Sequence, residues 1–305
     1  MILRQVGHIV DELEHFWEEV FMKRVAGLWL VFIYLAMIIV VEVNRQGLFP
    51  FLFPEQFPDS HFFAVEVAFT LLLLTEVVSL IFALTTSFSK SIGIQFELLS
   101  LILIREVFKQ FTYFAEPLEW EPISSIMPNM MVDAVAALGI FLILQVYYRI
   151  QKQYSFIRED TDQENFINSK KLIALSLLLI FVGVGLLDMW RFVTGGETYP
   201  FFETFFTILI FADVMMVLLS MHYGNSYAVT FRNFAYALVT VFIRISLVAP
   251  PPINGAIGIG AMLFALAVSF IYNTYGANLD LEPNTHEDVK RRTKSMPKLE
   301  PGMGD

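Results

Sequence analysis

Glu76 and Asp213 stand in the middle of apolar stretches of about 20 residues. A charged side chain in such a setting costs about 3 kcal/mol even on the most lenient insertion scale, so it must pair, take up a proton or coordinate a cation. Glu66, Glu203, Asp133 and Glu97 lie in similar stretches. With Glu76 and Asp213 they are the candidates for a small-ion or proton pathway. Arg105, Arg232 and Arg244 are the available counter-charges. Counting depth along the chain gathers Glu42, Glu66, Arg105, Glu106 and Asp133 near one membrane surface, and Asp188, Glu203, Arg244 and Asn254 likewise. This spacing predicts that Arg105 pairs with Glu66 and Arg244 with Glu203, leaving Glu76 and Asp213 without a fixed partner. Arg232 falls at the opposite entry of the second group, where its charge discourages cations. A buried Glu–Arg pair can equally serve only to fix helix register.

Other chemistry is excluded or weak. The chain has no cysteine, which removes disulfides, thiolate metal sites and thiol nucleophiles. His8, Glu12 and His15 have metal-ligand spacing, but on an exposed helix that reads as a solvated face. His61 and His222 fall at opposite membrane faces with no histidine between them, which argues against haem. Gly255, Gly258 and Gly260 sit in an apolar helix and read as packing positions, not as a phosphate loop. No nucleophile stands beside a base, so no enzyme, cofactor or metal is expected. The arginines are too few and too widely spaced for a voltage sensor.

These groups need elements to hold them, and composition names the solvent. The chain has 305 residues, 56% of them hydrophobic, with 31 phenylalanines and a mean hydropathy of +0.61. That is more apolar surface than one water-soluble core can hide. Eight runs of membrane-spanning length follow one another: Val25–Val43, Phe62–Leu84, Ser91–Phe111, Met130–Tyr148, Leu172–Val193, Phe201–Met221, Val229–Val248 and Ile253–Tyr272. The third carries Glu97, Arg105, Glu106 and Lys109 and is placed by the parity of its neighbours. Lysine and arginine collect in the N-terminal segment, the linker at 151–171 and the C-terminal tail, so both termini are expected in the cytoplasm of a multi-pass cell-membrane protein. Residues 1–24 form an amphipathic helix with an acidic polar face, suited to packing on the protein or a partner and not to anionic lipid. It is also too acidic for a cleaved signal peptide. Residues 276–305 have the composition of a disordered tail. A formal net charge of −10 argues against nucleic acid. The partners expected are the lipid bilayer, protons or small cations, and a second copy of the chain.

The membrane part repeats itself. Glu66, Phe69, Thr70 and Glu76 recur as Glu203, Phe206, Thr207 and Asp213. Glu42 with Arg45 recurs as Asp188 with Arg191, Ile104–Arg105 as Ile243–Arg244, and Asp133 as Asn254 after a proline. The expected architecture is all-α: two parallel four-helix repeats, at 25–150 and 172–275, joined by a polar loop. In Glu203 and Asp213, the stretch Phe231–Arg232–Asn233–Phe234, the pair Ile243–Arg244 and the proline-led last helix, the second half resembles the phosphate-starvation-inducible E (PsiE) family of small four-helix membrane proteins. The first half departs from the pattern, with Gly93 where Arg232 is matched. The resemblance implies a PsiE-like unit present twice and brings no molecular activity with it. Two functions stand: a small-ion or proton pathway, or a non-transporting membrane stress sensor or scaffold that binds a partner through its N-terminal helix and tail.

Overall fold

The computed structural model describes residues 2–47, 59–114, 116–151, 160–194, 200–223 and 227–276, and among them regular structure is helical throughout. The expected tail, from 277 on, lies outside the described residues. Helix α1 (Ile2–His15) passes through a stretch of wide π-type turns, Phe16–Ala26, into α2 (Gly27–Arg45). There follow α3 (Phe63–Ala83), α4 (Phe88–Lys109), α5 (Trp120–Ile150), α6 (Asp160–Val193), α7 (Phe201–Tyr223), α8 (Tyr227–Val248) and α9 (Ile253–Ile271). Prolines mark two starts, Pro200 before α7 and Pro250–Pro252 before α9, where a missing N–H costs nothing. The polar loop expected over 151–171 is shorter than its composition suggests, because α6 already begins at Asp160.

Seven described helices, α2, α3 and α5 to α9, are long and apolar enough to cross a membrane. The protein is therefore an integral membrane protein in contact with lipid. The eighth expected run, α4, fails on composition and not on length, since its 22 residues reach about 33 Å. Its Phe96, Leu99, Ile102, Leu103 and Arg105 are buried, so one face of it packs inside the bundle, while Lys90 and Glu97 stay exposed.

Two apolar cores hold the helices together, and they do not follow the two halves of the sequence. One is built by α4, α5, α8 and α9 around Phe96, Leu99, Ile140, Tyr147, Val239 and Met262. The other joins α3, α6 and α7 around Val77, Ile81, Leu177, Phe205 and Leu209. Each half of the chain thus contributes to both cores. Helix α1 docks on the chain itself. Val10 enters the second core, Asp11 pairs with Lys171 at 2.6 Å, Thr85 donates to Glu14 at 3.2 Å, and the Trp17 indole donates to Ser79 at 3.1 Å. Burial raises the pKa of Glu14, with the Thr85 bond opposing it. Below, the end of the bundle with Arg45, His61 and Ile253 is the outer end and that with Thr86, Ile150 and Lys170 the inner end, following the expected topology.

Candidate functional site

Glu76 and Asp213 each face an arginine from the next helix. On α3 and α4, Arg105 donates through Nη1 to Glu76 Oε2, and its Nη2 lies 3.6 Å from Glu106. On α7 and α8, Arg244 Nε lies 3.5 Å from Asp213 Oδ2. All four side chains are buried, and Arg244 is fully inaccessible. The spacing-based pairs, Arg105 with Glu66 and Arg244 with Glu203, are therefore replaced by pairs one level deeper. Glu66 is half-buried and Glu203 exposed, which leaves the arginines to partners that are shielded from solvent.

The two pairs differ in closeness. The Glu76–Arg105 contact is a direct hydrogen bond. In the other, Asp213 Oδ2 and the three guanidinium nitrogens of Arg244 make no hydrogen bond with any described group. Beside them lies a cavity of about 20 Å³, lined by Ser91, Gln95, Lys170, Asp213 and Thr240 with apolar neighbours. Such a space holds about one water, which needs two to four polar partners. The partners are at hand. Gln95 Oε1 and Asp213 Oδ2 are buried acceptors without a donor. Lys170 lines the same space, its Nζ bonding the Thr86 carbonyl while resting on the rings of Phe88 at 5.1 Å and Phe166 at 5.6 Å.

Nearer the outer end, Asp133 on α5 accepts from Asn254 of α9 and from Gln110 after α4, both at 3.0 Å. Ser246 of α8 donates to the Asn254 carbonyl at 2.7 Å. Asp133 and Asn254, matched in sequence, thus meet across the α5–α9 contact. Gln110 also lines an open cavity of 420 Å³ with Glu106, Lys109, Tyr113, Asn129 and Pro251. No family model matches the chain, nor does any curated protein or solved structure.

Besides Glu66 and Glu203, two further candidates fall outside the site. Glu97 is exposed and accepts from the Tyr148 hydroxyl at 2.7 Å. Arg232 lies 4.5 Å over the Tyr272 ring and 3.5 Å from the Asn233 side-chain carbonyl, held against its own hairpin. Lys170, Gln95, Ser91 and Thr240 are not among the site candidates that spacing and composition name. A signal for Lys170 existed, since it shares one helical stripe with Ala174, Leu177 and Phe181, all buried. Nothing comparable marks Gln95, whose importance comes from a cavity shared with α6, α7 and α8. Among the described residues no group of three or more metal-ligating side chains is present.

Proposed function

We propose that this membrane protein provides a proton pathway, with Asp213 as the group that binds and releases the proton inside the bilayer. The observation that carries this reading is the water-sized cavity, lined by Lys170, in which Asp213 and Gln95 offer buried acceptors without a hydrogen-bond partner. A space for one water suits a proton relay and is too small for a hydrated metal cation, which favours protons among the small ions. Arg244 stabilises the carboxylate once the proton has left, at 3.5 Å and without the hydrogen bond that would lock it. The Gln110–Asp133–Asn254 hydrogen bonds supply a continuation towards the outer cavity.

The reading includes α4 as an eighth span and treats α2–α5 and α6–α9 as two copies of a PsiE-like four-helix unit. Two similarities support this. An acid of the second helix faces an arginine of the third in both halves, and the matched Asp133 and Asn254 hydrogen-bond to each other. In the scaffold alternative, one face of α1 is engaged with α6 and the α3–α4 turn through Asp11 and Glu14, and the exposed Ile9 and Leu13 are left to meet a partner.

The test is proton uptake into phosphatidylcholine liposomes holding the purified chain and a pH-sensitive dye, driven by a potassium diffusion potential. Wild type should acidify the lumen, Asp213→Asn should abolish the signal, and Glu66→Gln, outside the cavity, should retain it. Wild-type rates equal to protein-free liposomes, or equal rates in wild type and Asp213→Asn, would overturn the reading.

A further inference from the structure

At the outer end one histidine is held between two carboxylates from different parts of the chain. His61, just before α3, has Nε2 3.2 Å from Glu42 of α2 and Nδ1 3.0 Å from Glu116 of the α4–α5 connection. Glu116 also accepts from the His61 backbone N–H at 2.9 Å and lies 3.7 Å from Arg45. On α2, Gln46 donates to Glu42, and Asn44 donates to Asp59 at 3.1 Å. The charged groups around the ring are thus Glu42, Glu116 and Arg45, with Asp59 next to them across Asn44.

A neutral imidazole has one N–H and one lone pair, so it can donate to only one of two carboxylates. Against the other it presents a lone pair to a negatively charged oxygen, which is repulsive. Only the imidazolium, with two N–H groups, satisfies both. Counting charges gives the same answer: two carboxylates and Arg45 leave one negative charge, which a protonated His61 cancels.

We propose that His61, Glu42 and Glu116 form a proton-operated clasp that ties α2 and the α4–α5 connection to the start of α3. The clasp is closed when His61 is charged and loosens when it is neutral. It is separate from the proton pathway above and does not rest on it. Hydrogen bonding to Glu116 raises the His61 pKa above its ordinary 6.5, against the opposing effect of burial. Burial pushes Glu116 up, but the bonds and charge of His61 and the charge of Arg45 outweigh it and bring the carboxyl below its ordinary 4.5. The raised histidine contributes fully below about 6.5 and loses its contribution as pH rises through the shifted value. The lowered Glu116 contributes above its ordinary value and fails only in stronger acid. The clasp is therefore shut from mildly acid pH to beyond pH 6.5 and opens towards alkaline pH.

Release is local. The Phe62–Phe114 ring contact at 5.9 Å and the Phe111–Phe114 stack at 5.2 Å do not titrate and keep the connection near α3.

The absence of cysteine makes the test direct. Spin labels are placed on Ile39→Cys in α2 and Leu118→Cys in the α4–α5 connection, both exposed positions, and the distance distribution is followed from about pH 5.5 to about pH 9. Otherwise unaltered protein should give a narrow distribution that broadens as the pH rises. His61→Gln should be broad throughout, while His61→Arg, which stays charged and offers several donors, should stay narrow throughout. Circular dichroism of each variant checks that the helices remain. A width independent of pH in the unaltered clasp, or a His61→Gln distribution as narrow and pH-dependent as that of the parent, would overturn the proposal.

Discussion

A buried carboxylate and guanidinium in hydrogen-bond contact must be judged against what each costs alone. Glu76 and Arg105 are 4% and 3% exposed, and removing one partner strands the other in a low-dielectric interior, at about 3–5 kcal/mol. In detergent, Glu76→Gln and Arg105→Met should each lower the Tm sharply, while the double variant loses clearly less than the sum. Glu66→Gln, at a half-buried position, should leave the Tm nearly unchanged. Additive losses for the first two would remove the coupling. Sequence identified these groups as unusual, because their types and surroundings are local facts, but it assigned the wrong partners. Residue counts from the α3–α4 turn put Arg105 level with Glu66 only if both helices are straight, antiparallel and flush. The contact with Glu76, ten residues away on α3, reflects helix offset or tilt and the reach of the arginine stem, none of which a residue count contains.

Helices approach closely where one of them lacks a side chain, and α9 offers an internal comparison. A Cβ built on Gly255 would lie 2.5 Å from the Ala136 Cβ, an atom that moves only with the α5 backbone. One on Gly258 would meet Ile140, Leu99 and Ser246 at 2.9–3.2 Å, whereas Gly260 has nothing within 4 Å. The reading of all three as packing positions thus holds for two. Gly255→Leu should destabilise by about 1–3 kcal/mol or more as α5 and α9 are forced apart, and Gly260→Leu should be tolerated. Thermal unfolding of the two variants checks this, and equal losses would contradict the close approach. The same limit applied to α4 and α6. Apolar runs located the helices, but the run ending at the linker concealed that α6 starts at Asp160, because a polar helical turn and a polar loop have similar compositions. Nor does a one-dimensional hydropathy average see that the charge of Arg105 on α4 is met by Glu76 of α3.

At the scale of the whole molecule, the two halves of the chain are interleaved. The α4–α5–α8–α9 core takes two helices from each half, so neither half keeps its core if the other is removed. Self-similarity in the sequence revealed matched residues but not that matched helices pack on each other, since a repeat states likeness and not adjacency. This arrangement makes the crossing of α4 decisive, for it stands between α3 and α5 in sequence and contributes to the shared core. If α4 crosses, the connection around Leu118 lies on the opposite side from the segment at 152–159 and from the C-terminus. If it only re-enters, the parity of every later helix shifts. The abundance of lysine and arginine around 149–171 and 290–298 favours a cytoplasmic location for both of those segments. Single cysteines at Leu118, at Lys152 and near Asp305, probed in intact cells with a membrane-impermeant maleimide, should therefore label only at Leu118. Labelling of Lys152→Cys, or protection of Leu118→Cys until the membrane is permeabilised, would overturn the eight-span topology with cytoplasmic termini. With it would go the outer position of the Gln110–Asp133 entrance, and the His61 clasp would then answer to cytoplasmic pH.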